Sequence, residues 1–240
     1  MWVATFELHS MYTDALLMLG FPFGAANDAA RLVAWSDRHG FGGVKYFAVA
    51  LERLKRRPFT SPKVLGESAT AIELDANGGS VLEVGVAALD IAALGNHSRV
   101  TLLNLEDLTF CKGLGQVALE RSLSVEMSWS EDGQQALLAV CAAKQSLDLA
   151  FFASDQQGIG RSMVIVPVKH RRETRHRRSI SDAVVYSSAL LAQREKQTLL
   201  DGVDVDDVAW RSVVDLGRTI LIPESTASRL GGAGVGADED

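Results

Sequence analysis

The chain has 240 residues, of which 47% are hydrophobic and 22% are charged, so it can bury a sizeable core and is not disordered throughout. Its formal net charge of −6 argues against a dedicated nucleic-acid binder and against docking on anionic membranes. No apolar run reaches transmembrane length and the first residues do not resemble a secretory signal, so we expect a cytoplasmic protein.

Residues 1–58 are predicted to be helical. A short apolar helix ends near Gly20, and amphipathic helices follow over residues 25–38 and 44–57. Between the last two helices, three glycines within four positions cost too much backbone entropy for a helix to continue. The chain is therefore predicted to turn at residues 38–43, Arg-His-Gly-Phe-Gly-Gly, which we call the elbow.

Residues 64–168 are predicted to be rich in strands, and residues 179–217 to be helical again. The patterns predict strands 70–75, 99–105, 123–129, 135–141, 147–152 and 162–168, and helices 81–94, 113–121, 181–200 and 205–216. Glu-Asp-Gly at 131–133 is typical of a hairpin turn. Helices before and after a mixed sheet indicate an α/β or α+β domain. We expect a single domain over residues 1–230 and a flexible, glycine-rich acidic tail at 231–240.

The elbow holds a lone histidine, His39, at the predicted C-terminus of a helix. A protonated imidazole there is stabilised by the helix dipole, and the neighbouring glycines let a substrate approach the backbone closely. His39 is therefore a candidate catalytic acid or base. The alternative is a histidine that caps the helix and faces water.

The other candidate groups match known chemistry less well. Residues 169–178 are interpreted as a solvated basic loop, with a phosphate clasp as the alternative. Glu106 and Asp107 follow a strand directly and are interpreted as a solvated turn, with acid–base work as the alternative. No histidine or cysteine has metal-ligand spacing, so no metal is expected, and Cys111 and Cys141 are predicted to be buried thiols.

In ALLMLGFPFGAANDAARLVAWSDRHGFGGVKYFAVALERL, a turn with Leu17, Gly20, Phe21 and Pro22 leads into an Ala-rich helix and then the elbow. This order resembles the N-terminal region of the malate/L-lactate dehydrogenase family, a group of non-Rossmann NAD(P)-dependent reductases. The segment IPESTASRLGGAGVGADED is similar to the family's closing pattern. Its matching positions are Pro223, Glu224, Ser225, Ser228, Arg229, Gly232, Ala233, Gly234 and Asp238.

The resemblance implies an α/β fold with a mixed, non-Rossmann sheet flanked by helices, a homodimer, and NAD or NADP as cofactor. If the chain is an active reductase, we expect His39 to be the proton donor of the reaction. In that case we also expect Arg171 and Arg172 to contact the cofactor phosphate and Arg229 to contact a substrate carboxylate.

The chain departs from the family at two landmarks. Gly42 aligns with the histidine of the family's Ser-His-Gly elbow, and residues 106–113 replace its Asn-x-x-His-x-Gly loop without supplying a histidine. These departures are typical of a short, divergent relative, which we expect to belong to a bacterial branch.

Two functional hypotheses follow. The chain is either a divergent oxidoreductase that acts on a small 2-oxo or imino acid with NAD(P)H, or a non-catalytic relative that binds a metabolite or a partner protein. Loss of both histidine landmarks favours the second hypothesis, whereas the elbow glycines and the C-terminal match favour the first. We expect a small-molecule partner under the first hypothesis, and neither nucleic acid nor membrane under either.

Overall fold

The computed structural model describes residues 1–131, 133–153, 161–168 and 184–220. Its helices are α1 (Thr5–Met18), α2 (Phe23–Arg38), α3 (Gly43–Leu54), α4 (Val81–Ala93), α5 (Leu114–Glu120), α6 (Ser188–Asp201) and α7 (Asp207–Arg218), with 3-10 helices at Leu108–Gly113 and Ala142–Lys144. Its strands are β1 (Trp2–Val3), β2 (Lys63–Glu67), β3 (Ala71–Asp75), β4 (Arg99–Leu103), β5 (Val125–Glu131), β6 (Gln134–Cys141), β7 (Ser146–Ala153), β8 (Met163–Pro167), β9 (Val184–Tyr186) and β10 (Val203–Asp204).

Strands β2 to β9 form one mixed sheet in the order β2-β3-β4-β8-β5-β6-β7-β9, and β1 pairs with β10 separately. β3 and β4 are parallel, while the other neighbouring strands of the large sheet are antiparallel. A parallel pair requires a long crossover connection, which α4 supplies. The predicted fold class, α/β with a mixed sheet flanked by helices, is confirmed.

The start of α4 is determined by a capping box. The Ser80 hydroxyl accepts a hydrogen bond from the backbone N–H of Leu82 at 3.2 Å, and the Glu83 carboxylate accepts one from the N–H of Ser80 at 2.7 Å. These two bonds satisfy backbone donors that the first helical turn leaves free. The crossover helix therefore begins at Val81, after a short turn that follows β3, and returns the chain to β4.

The sheet packs one face against helices. Residues of β5 and β6 alternate between buried and partly exposed positions, the pattern of a sheet with one covered face. Helices α4 and α5 lie on this face, and α2 joins them to a second group formed by α1, α3 and α7. Tyr12 lies within that group, with its ring 5.3 Å from Phe47 and 6.0 Å from Trp210, both edge to face.

Three sequence predictions are corrected. The helix predicted over 181–200 begins at Ser188, and Val184–Tyr186 form β9 because they pair with β7. Residues 63–67 form the edge strand β2, for which no strand was predicted, because they pair with β3. Cys141 is half-buried, whereas Cys111 is buried as expected.

The hairpin predicted at 131–133 joins the antiparallel strands β5 and β6, although Asp132 lies outside the described residues. None of the described helices combines the length and the apolar character that crossing a lipid bilayer requires.

Candidate functional site

The elbow is a sharp connection between α2 and α3. Gly40 and Gly42 have φ angles of +75° and +68°, which glycine adopts without the steric cost that a Cβ atom brings. A Cβ on Gly43 would lie 2.3 Å from the carbonyl oxygen of Val33 and 2.7 Å from Oδ2 of Asp37. Glycine at 43 therefore lets the start of α3 rest directly on α2.

Asp37 attaches the start of α3 to α2. Its carboxylate accepts a hydrogen bond from the Tyr12 hydroxyl at 2.5 Å and one from the backbone N–H of Val44 at 2.8 Å. Burial raises the pKa of Asp37 from 3.8 to about 6, although these hydrogen bonds favour the ionised form. Burial also raises the pKa of Tyr12, and the nearby Asp37 charge adds to this effect.

His39 is the C-cap residue of α2, as one of the two sequence interpretations predicted, but it does not face water. Its side chain is 2% exposed. Its Nδ1 lies 2.8 Å from the carbonyl oxygen of Trp35, and the two rings stack with centroids 4.2 Å apart. Burial lowers the pKa of His39 below 6.5, although the hydrogen bond to Trp35 opposes this shift. The imidazole is therefore mostly neutral at pH 7.

A cleft lies against the elbow and has a volume of about 370 Å³. We call it the aromatic cleft. Its lining consists of Gly40, Phe41, Tyr46, Thr109, Lys112, Gln134, Phe151, Val184 and Tyr186. Phe41 and Phe151 meet the Tyr186 ring edge to face, with centroids 5.0 and 6.2 Å away. The cleft thus presents several aromatic rings to a ligand.

The one lysine that lines the aromatic cleft is buried and already engaged. Nζ of Lys112 lies 2.6 and 2.7 Å from the two carboxylate oxygens of Glu131 and 3.0 Å from the Thr109 hydroxyl. Nζ also lies 5.6 Å from the Phe41 ring and 5.5 Å from the Phe151 ring. An ammonium has three donors, so the protein itself uses the donors of Lys112.

Of the four predicted site residues, the described part of the structure includes His39 alone. His39 does not line the aromatic cleft but connects to it through rings, because Trp35 stacks on both His39 and Phe41. Arg171, Arg172 and Arg229 lie outside the described residues.

The acidic pair after β4 forms ion pairs. Glu106 contacts Arg161 and Arg53, and Asp107 contacts Arg53. The side chains are mostly shielded, so the interpretation as a solvated turn is wrong in this respect. Both carboxylates are thus paired with arginines, an arrangement typical of residues that hold a loop in place.

Sequence reasoning missed Asp37, Lys112, Phe151 and Tyr186. A signal existed for Asp37, because it lies one helical turn after the apolar Val33, on the side of α2 that packs inward. No local signal exists for the two aromatic residues, since the pairing of β7 with β9 brings them together.

The fold is similar to that of solved dehydrogenases. Malate dehydrogenase from Pyrococcus horikoshii OT3 superposes with a TM-score of 0.69 at 11% identity, over 94% of this chain and 97% of that chain. Sulfolactate dehydrogenase from Methanocaldococcus jannaschii gives 0.69 at 11% identity, over 92% of this chain and 97% of that chain. Delta1-piperideine-2-carboxylate reductase from Pseudomonas syringae pvar. tomato gives 0.58 at 11% identity, over 90% and 99%. At such low identities, the likeness shows a dehydrogenase-like fold.

A family model described as a protein of unknown function, DUF3726, matches residues 3–99. That segment contains α1 to α4 and the elbow. None of the curated proteins matches the chain significantly.

Proposed function

We propose that the chain binds a small planar metabolite in the aromatic cleft, on a fold that it shares with dehydrogenases. The observation that carries this proposal is the convergence of Phe41, Tyr46, Phe151 and Tyr186 on one cavity of about 370 Å³. Aromatic faces and edges favour a flat ring through stacked and edge-to-face contacts. The volume also lies within the range of small-molecule sites.

The paired charges at the aromatic cleft favour an uncharged ring as the ligand. The Lys112 ammonium and the Glu131 carboxylate neutralise each other at the cleft, with N–O distances of 2.6 and 2.7 Å. A carboxylate ligand would have to compete with Glu131 for the same donors. The Gln134 side chain lines the cleft and can exchange hydrogen bonds with polar ring substituents.

A nicotinamide nucleotide fits this site in part. The aromatic lining suits the nicotinamide ring, which supplies a hydride when the reduced cofactor is bound. The pyrophosphate of NAD or NADP needs cations, for which Arg171 and Arg172 are the candidates. Within the described residues, Lys112 is the one lysine or arginine that lines the cleft, and its charge is already paired.

The second candidate function is the NAD(P)-dependent reduction of a small 2-oxo or imino acid, by a short, divergent relative of the malate/L-lactate dehydrogenase family. The dehydrogenase-like fold and the elbow support it. His39 would then donate the proton and Arg229 would hold the substrate carboxylate. The lowered pKa of His39 disfavours this role at neutral pH, because a proton donor must first be protonated.

Thermal unfolding with added nicotinamide, NADH or NADPH tests the first proposal. A ligand at one hundred times its dissociation constant stabilises the folded chain by about 2.7 kcal/mol, so Tm should rise by roughly 5–10 °C. Val184 lines the cleft and is 56% exposed, so Val184→Trp should fill the cleft, abolish the rise and leave the core intact. Val208→Trp is the matched control, because Val208 is 78% exposed and lies on α7.

The outcomes separate the two candidates. A rise in Tm that survives Val184→Trp would overturn binding in the aromatic cleft. A rise with NADH or NADPH, together with oxidation of that nucleotide by 2-oxo or imino acids, would support the reductase. If neither nucleotide changes Tm, the reductase hypothesis fails.

A further inference from the structure

A second cavity lies between α1, α2 and α5 and has a volume of about 380 Å³. It shares no lining residue with the aromatic cleft. His9 from α1 and both Arg31 and Arg38 from α2 contribute to its lining. Glu120 from α5 is the one carboxylate among its lining residues. We refer to it as the arginine cavity.

The arginine cavity contains more hydrogen-bond donors than acceptors. Each guanidinium has five N–H donors. Nη1 of Arg31 bonds to Glu120 at 3.1 Å and Nη1 of Arg38 bonds to Glu195 at 2.9 Å, which leaves most donors of both groups for other acceptors. A ligand that accepts hydrogen bonds and carries negative charge would complement this surplus.

Two polar atoms of the cavity's residues are buried without a partner. Within the described part of the chain, neither Nε2 of His9 nor Nε of Arg38 has a hydrogen bond. Buried polar atoms are normally paired, so two orphaned atoms in one cavity call for an explanation. An anion in the cavity would offer acceptors to both side chains, because Arg38 always donates and the neutral imidazole of His9 donates from Nε2 in one of its two tautomers.

The apolar residues that line the arginine cavity indicate that the ligand also has an apolar part. Phe6, Ala34 and Val117 are apolar, and Phe6 is 82% exposed, although it is a large hydrophobic side chain. An apolar group seated beside Phe6 would remove this ring from water. The ligand therefore combines an acceptor-only head with a small apolar body.

We propose that the arginine cavity binds a small organic carboxylate through Arg31, Arg38 and His9, with its apolar body against Phe6. This proposal is independent of the function of the aromatic cleft. The carboxylate matches the planar fork of a guanidinium and can accept two parallel N–H bonds from it.

Calorimetric titration of the full chain with benzoate tests the proposal. We expect saturable binding to the wild-type chain, and Arg31→Gln should weaken it about tenfold, because a charge-assisted hydrogen bond is lost. Arg211→Gln is the matched control, since Arg211 is 76% exposed on its side chain and also pairs with a carboxylate, that of Asp207, away from the cavity. Its affinity should match that of the wild-type chain.

Two further probes examine the ligand class. Benzamide has nearly the shape of benzoate without its charge, and inorganic phosphate has charge without an apolar body. Both should bind at least tenfold more weakly than benzoate. Equal binding of benzamide would overturn recognition of an anion, and equal binding of phosphate would overturn the carboxylate with an apolar body.

Val184→Trp, which fills the aromatic cleft, tests whether benzoate binds in the arginine cavity. Benzoate binding should persist in Val184→Trp. Binding that disappears in Val184→Trp but survives Arg31→Gln would place benzoate in the aromatic cleft and overturn the proposal. Equal losses in Arg31→Gln and Arg211→Gln, or no saturable binding to the wild-type chain, would overturn it as well.

Discussion

Asp37 makes the stability of the helix group depend on pH. Burial raises its pKa from 3.8 to about 6, so at intermediate pH the folded chain holds a proton that the unfolded chain has lost. The stability contributed by this group is fully present below pH 3.8 and is lost as the pH rises to about 6. This direction is opposite to that of an acid whose pKa is lowered by an ion pair.

Replacement of Asp37 by Asn removes the titrating proton and keeps the shape. Between pH 4 and pH 7 the wild-type chain should lose roughly 2 kcal/mol of unfolding free energy relative to Asp37→Asn. The destabilisation caused by the variant, measured by urea denaturation, should therefore be larger at pH 4 than at pH 7. In the control Tyr12→Phe, the carboxyl group still titrates and loses a hydrogen bond that favours its ionised form, so its pH dependence should be at least as steep as that of the wild-type chain. A destabilisation by Asp37→Asn that does not vary with pH would contradict the raised pKa.

The contact between α2 and α3 depends on the missing side chain of Gly43. A Cβ there would overlap the Val33 carbonyl oxygen at 2.3 Å, and because that atom belongs to the backbone it can move only if α2 and α3 separate. Gly43→Ala should therefore lower the unfolding free energy by about 3 kcal/mol, the upper end of the usual cost of overpacking. Urea denaturation at pH 7 measures this change.

Gly24→Ala is the matched control for Gly43→Ala. Gly24 lies in the first turn of α2, and a Cβ there would meet no atom within 4 Å. Alanine has the higher helix propensity, so this variant should be unchanged or stabilised by up to about 1 kcal/mol. Equal effects of the two substitutions would show that helix propensity, and not the close approach at the elbow, determines the result.

The elements that local pattern defines were predictable from the sequence. The apolar spacing of α2 and α3 and the glycines between them predict the elbow, and the alternation in β5 and β6 predicts their hairpin. Strand β2 pairs with β3, the next strand in the chain, but all five of its residues are exposed, so it has no apolar alternation that would predict a strand. Strand β9 was not predictable because it pairs with β7, which lies far away in the sequence. The aromatic cleft depends on β9, so its lining could not be assembled from the sequence.

The candidate site was predictable in part. The sequence identified the lone histidine of the elbow, and its spacing of four residues from Trp35 is compatible with the ring contact between them. Its burial also depends on tertiary neighbours such as Arg194 of α6, which donates a hydrogen bond to the His39 carbonyl oxygen, and local spacing does not reveal that neighbour. Lys112 shows the same limit, since its partner Glu131 lies 19 positions away. Charged residues that tertiary contacts neutralise cannot be told from free ones by local pattern.

Stability against local opening should be distributed unevenly across the eight-stranded sheet. Met127 on β5 and Ile165 on β8 are fully buried, and both strands lie inside the sheet order. β2 lies at one end of that order and all five of its residues are exposed, with Val64 and Leu65 at 59% and 57%. Local opening therefore costs much less free energy at β2 than at the centre.

Native-state hydrogen exchange should reveal this gradient directly. Amides of β8 and β5 should exchange only through global unfolding, whereas those of β2 should exchange at least roughly a thousandfold faster. β9, at the other end of the sheet order, is the internal comparison and should also exchange faster than the centre. Protection of β2 equal to that of β8 would contradict the prediction. An unpaired strand edge is a template for strand pairing. If the protection of the β2 amides weakened on dilution, a second copy of the chain would be covering β2, and β2 would be the interface of the expected homodimer.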